Sequence, residues 1–181
     1  MAWIIVAVVV ALLVIWTIAI YNGLVRSRNQ VDNAWSQIDV QLKRRIDLVP
    51  NLVETVKGYA AHEKSTLEAV INARNASIAA PATPAGQAAA DNVMTSALRQ
   101  LFALSEAYPE LKANTSFLEL QHELAATETH ISDARFIYNA TVQAYLTARD
   151  QFPGVLVAKL GDFADRPYWQ ADEADRGVPT V

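Results

Sequence analysis

The 181-residue chain has no cysteine, which excludes disulfides, thiolate nucleophiles, zinc ribbons and iron–sulfur ligation together and leaves the redox compartment open. Its 6 glycines and 7 prolines are too few for an all-β chain built on tight turns. Charged residues make up only 19%, and 15 Lys and Arg against 19 Asp and Glu give a net charge of -4. That balance argues against nucleic acid as a partner, because displacing counterions from phosphates needs a basic surface. No dinucleotide-binding G-x-G-x-x-G, phosphate-binding G-x-x-x-x-G-K-[ST] or metalloprotease H-E-x-x-H occurs. What the chain has in excess is apolar side chains, at 52% of residues. A disordered acidic tail does not carry so many.

The excess sits at the start. Residues 2–21, AWIIVAVVVALLVIWTIAIY, carry no charge, and the first charged side chains are Arg26 and Arg28. Twenty helical residues rise about 30 Å, the thickness of a bilayer's hydrocarbon core. Trp3 lies near one end and Trp16 and Tyr21 towards the other, where amphipathic rings anchor at the lipid–water interface. A cleaved signal peptide is the competing reading, but MAW supplies no basic n-region and no A-x-A-like site follows. The expectation is a transmembrane anchor over residues 1–25, with Trp3, Trp16, Tyr21, Arg26 and Arg28 at the membrane interface. Basic residues follow the span and none precedes it, which places the main body in the cytoplasm of a single-pass protein. Ala7 and Ala11 form a small-xxx-small pair that permits close helix approach.

Beyond the anchor the apolar residues recur at steps of three and four. The first stripe runs Val31, Trp35, Ile38, Leu42, Ile46, Val49, Val53, Val56, Ala60, Leu67 and Val70, with a gap near Glu63. This is the period of an amphipathic helix, not of a strand. Pro50 interrupts the sequence but not the phase, so one long kinked helix over about residues 28–76 is expected; two helices turning at 47–51 are the alternative. Residues 76–91 are small and Pro-interrupted and read as a connection. A shorter helix follows, with Val93, Ala97, Leu101, Leu104 and Tyr108 on one face and Pro109 at its end. Ser116 and Glu119 make an S-x-x-E capping box. The stripe it opens runs Phe117, Leu120, Leu124, Thr127, Ile131, Ala134, Tyr138, Val142 and Tyr145 to Phe152, and Pro153 and Gly154 close it. Residues 155–160 could add a short turn, and residues 162–181 are acidic and read as a loose tail.

The predicted fold is therefore all-α: a single transmembrane helix, then an elongated antiparallel helical bundle of three or four long helices over residues 26–161. Its packing stripe is Trp35, Ile38, Leu42, Val53, Val56, Phe117, Leu120, Leu124, Ile131, Tyr138 and Tyr145. Three–four spacing over about five heptads implies coiled-coil-like packing.

These segments resemble the LemA family of bacterial membrane proteins. YNGLVRSRNQVDNAW (residues 21–35) and IDVQLKRRIDLVPNLVETVKGYAAHE (38–63) carry the likeness. YPELKAN (108–114), FLELQHELAATE (117–128) and YNATVQAY (138–145) extend it. The resemblance implies one N-terminal membrane helix and a four-helix-bundle core, which favours a break somewhere in the long helices. It implies no catalytic residues. It links the chain to the bacterial envelope and, through one branch, to magnetosome membrane formation.

No residue is assigned a catalytic, cofactor-binding or metal-binding role. Glu119 and His122 have the E-x-x-H spacing of di-iron bundles, but such a site needs the pair twice, and neither His62 nor His130 repeats it. Leu120 lies on the packing stripe and His122 off it, so a solvated face is expected. His62 and Glu63 fall in the stripe's gap, where pairing with Glu128 or Arg135 would set helix register. Asp39, Lys57 and Asn139 read as interhelical or surface contacts. Lys43, Arg44 and Arg45 form a basic cluster suited to a neighbouring subunit's acidic patch or to solvent; at about 33 Å from Tyr21 along a straight helix it stands too far from lipid headgroups. The functional expectation is a non-enzymatic, membrane-anchored scaffold with the lipid bilayer and further copies of itself as partners. A monomeric or dimeric docking module for an envelope protease or sensor is the alternative.

Overall fold

A computed structural model describes residues 1–170. Among them there is no strand; six helices follow one another, α1 Ala2–Lys57, α2 Lys64–Ala79, α3 Pro84–Ser105, α4 Pro109–Lys112, α5 Thr115–Asp150 and α6 Gly154–Ala158. The all-α expectation with an N-terminal apolar helix holds. The chain divides into two compact units, one of Met1–Ser36 and Phe136–Tyr168, the other of Gln37–Arg135 with Trp169.

In the second unit, α1 passes Pro50 without a break, as the phase of its stripe predicts, but stops at Lys57 instead of running on to about residue 76. The helix is 56 residues long, about 84 Å. A proline removes the N–H that would bond the carbonyl four residues back, here that of Ile46. The vacancy is filled from another helix: Arg74 Nε donates to the Ile46 carbonyl at 3.2 Å. Pro50 itself is exposed, so its ring displaces no core side chain. The helix ends at residues 58–63, where the apolar stripe had its gap. There Tyr59 N donates to the Val56 carbonyl at 3.0 Å, a tightened last turn. The turn is held from outside, as Tyr108 Oη donates to Glu63 at 2.9 Å and Asn114 Nδ2 to Tyr59 Oη at 3.0 Å.

Two further boundaries differ from the sequence expectation. Of the expected connection 76–91, only 80–83 lies between helices. Thr83 accepts from Gly86 N at 3.2 Å and Pro84 occupies the first helical turn, a Thr-Pro start signal hidden in an alanine-rich stretch. At the start of α5 the cap is Asn114, whose Oδ1 accepts from Phe117 N at 2.9 Å, not the Ser116–Glu119 box. A core of Val49, Leu52, Val56, Val70, Met94, Leu101, Leu111 and Phe117 fills the unit.

In the first unit, Leu24, Val31, Ala34, Tyr138, Val142, Tyr145, Val157 and Phe163 are buried. Trp35 meets Tyr138 edge to face, with ring centroids 5.6 Å apart. After α5 the chain doubles back through Pro153 and Gly154. A Cβ on Gly154 would lie 1.9 Å from the Ala148 carbonyl oxygen, so only glycine lets α6 come this close to α5. The expected loose tail is pinned over its first residues. Tyr138 Oη donates to the Pro167 carbonyl and Tyr145 Oη to that of Ala164, each at 2.8 Å, while Arg166 pairs with Asp32 at 3.0 Å. The remainder, 171–181, lies outside the described residues.

The Pro50–Arg74 relation gives a double-mutant test. Arg74→Ala is expected to lower stability by about 1 kcal/mol by orphaning a part-buried carbonyl. In a Pro50→Ala background, where position 50 regains an N–H that can serve the Ile46 carbonyl, the same substitution should cost clearly less. Urea unfolding of the four proteins measures the coupling.

Candidate functional site

Two features stand out from the fold: an uncovered apolar helix in the first unit and a buried set of charges in the second. The apolar helix is the opening of α1. It is long and apolar enough to cross a membrane, and none of that stretch is buried. In water such a surface would be an aggregation liability, so its exposure marks a site for lipid or for protein. Among its expected interface residues, Trp3, Trp16, Tyr21 and Arg26 are exposed. Arg28 is committed elsewhere: its guanidinium donates to the Asp162 carbonyl at 3.3 Å and lies 5.7 Å from the centre of the Phe163 ring.

The buried charges centre on Asp91 of α3, whose side chain is 1% exposed. Arg45 of α1, 4% exposed, bonds Asp91 at 2.5 Å and donates to Thr95 Oγ1 at 3.1 Å. Arg45 also pairs with Glu128 of α5, and Arg135 of α5 pairs with the second Asp91 oxygen. Two guanidiniums and two carboxylates thus balance in charge and tie three helices together. Burial pushes the Arg45 pKa down to about 10, which leaves it a cation at neutral pH. Arg135 lies 5.0 Å from the ring centre of Trp169, a residue the tail reading had placed in a loose segment.

This network corrects two expectations. Arg45 of the basic cluster is neither solvated nor at a subunit interface but inside the core, while Lys43 pairs with Asp47 at 3.0 Å and Arg44 with Glu123. Glu128 and Arg135 do set contacts between helices, but with Arg45 and Asp91; Glu63 accepts from Tyr108 instead. That hydrogen bond holds the Tyr108 phenol above its usual pKa. Spacing held a signal for Arg45, since it stands three residues after Leu42 and four before Val49, on the stripe itself. Asp91 gave none, lying in a stretch of alanines.

The expected packing residues occupy covered positions: Ile38, Leu42, Val56, Phe117, Leu124, Ile131, Tyr138 and Tyr145 are buried, and Trp35, Val53 and Leu120 half-buried. Leu52, fully buried, was missed. Glu119, His122 and His130 are exposed, and among the described residues no three His, Asp or Glu side chains converge as metal ligands. Beside the network runs an open groove of about 340 Å³ lined by Arg45, Thr95, Leu98, Phe102, Leu124 and Glu128 among others. Its walls are largely apolar, with the Arg45–Glu128 pair and the Thr95 hydroxyl among the polar groups that face it.

With this geometry, residues 34–181 match the LemA family. The chain belongs to the LemA family. It is 25% identical over 155 residues to Protein LemA of Metamycoplasma hominis, covering 86% of this chain and 71% of that protein. It is 24% identical over 179 residues to magnetosome protein MamQ of Magnetospirillum gryphiswaldense, covering 85% of this chain and 66% of that protein. The family match begins after the apolar run, so membrane insertion rests on the run's own length and exposure.

Removing one member of a buried charge set leaves the others unpaired. Asp91→Ala is expected to destabilise the LemA-family core by about 3–5 kcal/mol, whereas joint replacement of Arg45, Asp91, Glu128 and Arg135 by Met, Leu, Gln and Met should restore most of that loss. Denaturant midpoints of the single and quadruple variants decide between the two outcomes.

Proposed function

We propose that this protein is a non-enzymatic scaffold, held in a bacterial membrane by the start of α1 with its body on the cytoplasmic side, that associates with copies of itself and organises the membrane around it. The observation that carries this reading is the apolar surface of residues 2–16, all exposed, in the same unbroken helix whose later turns enter a packed core. A bilayer removes that surface from water at about 25 cal/mol per Å². Exposed Arg26 follows the span and supports the cytoplasmic orientation. Val40, Val93 and Phe136 remain exposed beyond the span and offer apolar area for lateral contacts between copies. Many weak contacts between anchored copies act together, because confinement to a membrane raises their effective concentration. The likeness to a magnetosome protein fits a role in organising membrane.

The groove beside Phe102 supports a second reading, in which the body docks an envelope protein and self-association is incidental. Light scattering after size exclusion of the detergent-solubilised protein tests the scaffold: concentration-dependent oligomers are expected, and a strict monomer at every concentration overturns it. Removing residues 1–25 should dissolve an anchor-driven assembly but leave a docked partner bound in a pull-down.

A further inference from the structure

Where α1 leaves its apolar stretch, residues 161–163 come alongside. In the first unit Tyr21 meets Phe163 edge to face at 5.4 Å. A Cβ added to Gly161 would stand 3.1 Å from the Tyr21 ring. At this level one face of α1 begins to be covered: Ile20 is half-buried and Leu24 buried. The segment that comes alongside is the turn following α6, and the corner that leads into it, from Phe152 through α6 to Leu160, carries three mostly exposed apolar side chains. Phe152 is 75% exposed, Leu156 56% and Leu160 79%. Leu156 and Leu160 stand four residues apart, on one face of a helical turn continued past α6 by the Leu160 N to Val157 carbonyl bond of 3.0 Å. Val157, between them in sequence, points into the core.

We propose that this α5–α6 corner is a second membrane contact, with Phe152, Leu156 and Leu160 set into the headgroup boundary of the bilayer that α1 spans. This rests on reading residues 2–21 as the span. Continuity argues for lipid as the occupant. Tyr21 closes the apolar run, and tyrosine at the end of a span sits at headgroup level; Gly161 and Phe163, in the turn that follows the corner, lie against Tyr21 and bring the corner close to that depth. Its polar neighbours suit the site. Lys159 and Arg26 are exposed at the same end of the unit, where they can meet lipid phosphates. Arg28, fixed over Phe163 and on the Asp162 carbonyl, ties the corner to α1. Asp162, exposed beside it, is the acidic side chain that headgroup water must solvate. Small interfacial apolar contacts of this kind fix the tilt and rotation of a single span, which the span alone leaves free.

The absence of cysteine makes the test direct, since any introduced thiol is unique. The full-length protein is reconstituted into phosphatidylcholine–phosphatidylglycerol vesicles as four single variants, Leu156→Cys, Leu160→Cys, Leu12→Cys and Asn33→Cys, each carrying an environment-sensitive fluorophore. Asn33 is exposed and about 18 Å along α1 from Tyr21. Labels at 156 and 160 should lose most of their emission to a quencher on the lipid near the headgroup and be shielded from aqueous iodide, while the label at 33 shows the reverse; the label at 12, about 14 Å along α1 from Tyr21, is read with a quencher deep on the acyl chain. Iodide access at 156 and 160 equal to that at 33 overturns the second contact, and lipid quenching at 12 then shows that the anchor stands without it. Shielding from iodide without lipid quenching assigns the patch to a second copy and overturns the lipid assignment. Failure of lipid quenching at 12 overturns the span and the corner's contact with it.

Discussion

Asp91 is almost wholly withdrawn from water, and two guanidiniums reach it from two other helices. Withdrawing a carboxylate from water is tolerable only when its charge is met, and here Arg45 and Arg135 meet it, with Glu128 balancing the surplus. The geometry constrains the second unit in a way that apolar packing does not. A leucine stripe tolerates slippage by a turn, whereas a slip of α1 against α3 or α5 would leave a bare charge in the core. Position along the helices is thereby specified at one point, and the apolar residues on either side, from Val49 to Phe117, fill around it.

That constraint matters because α1 belongs to both units and also carries the apolar run. A break at Pro50 would have separated Arg45 from the second half of its helix. Arg74 prevents the loss of a carbonyl partner at Ile46, so the proline is accommodated by a side chain from α2 and α1 reaches Lys57 without interruption. The corner at 58–63 is then fastened by two aromatic hydroxyls, those of Tyr59 and Tyr108. Hydroxyl groups play the same part in the first unit, where Tyr138 and Tyr145 bury their rings and hold the chain beyond α6 by its carbonyls.

The described residues of this LemA-family chain present three surfaces: an uncovered apolar helix, a groove beside the Arg45–Asp91 network and the exposed apolar side chains of Phe152, Leu156 and Leu160. The pinned segment 162–169 shows why the acidic composition of the C-terminal stretch misleads: Phe163 and Trp169 are buried, and the carbonyls of Ala164 and Pro167 are held by tyrosine hydroxyls that composition does not register.

The helical period, the apolar run and the absence of cysteine were decisive in the sequence, and they determined an all-α chain with a candidate span and a long packing stripe. They did so because periodicity and length are local properties, read directly along the chain. Tertiary structure alone decided where helices end and which charges are buried. The carbonyl that Pro50 leaves without its helical partner is met because Arg74 lies within reach of Ile46, and Arg45 looked like part of a solvated cluster until Asp91, 46 residues away, was brought against it. Such pairings depend on distances across the fold, and no spacing along one helix encodes them.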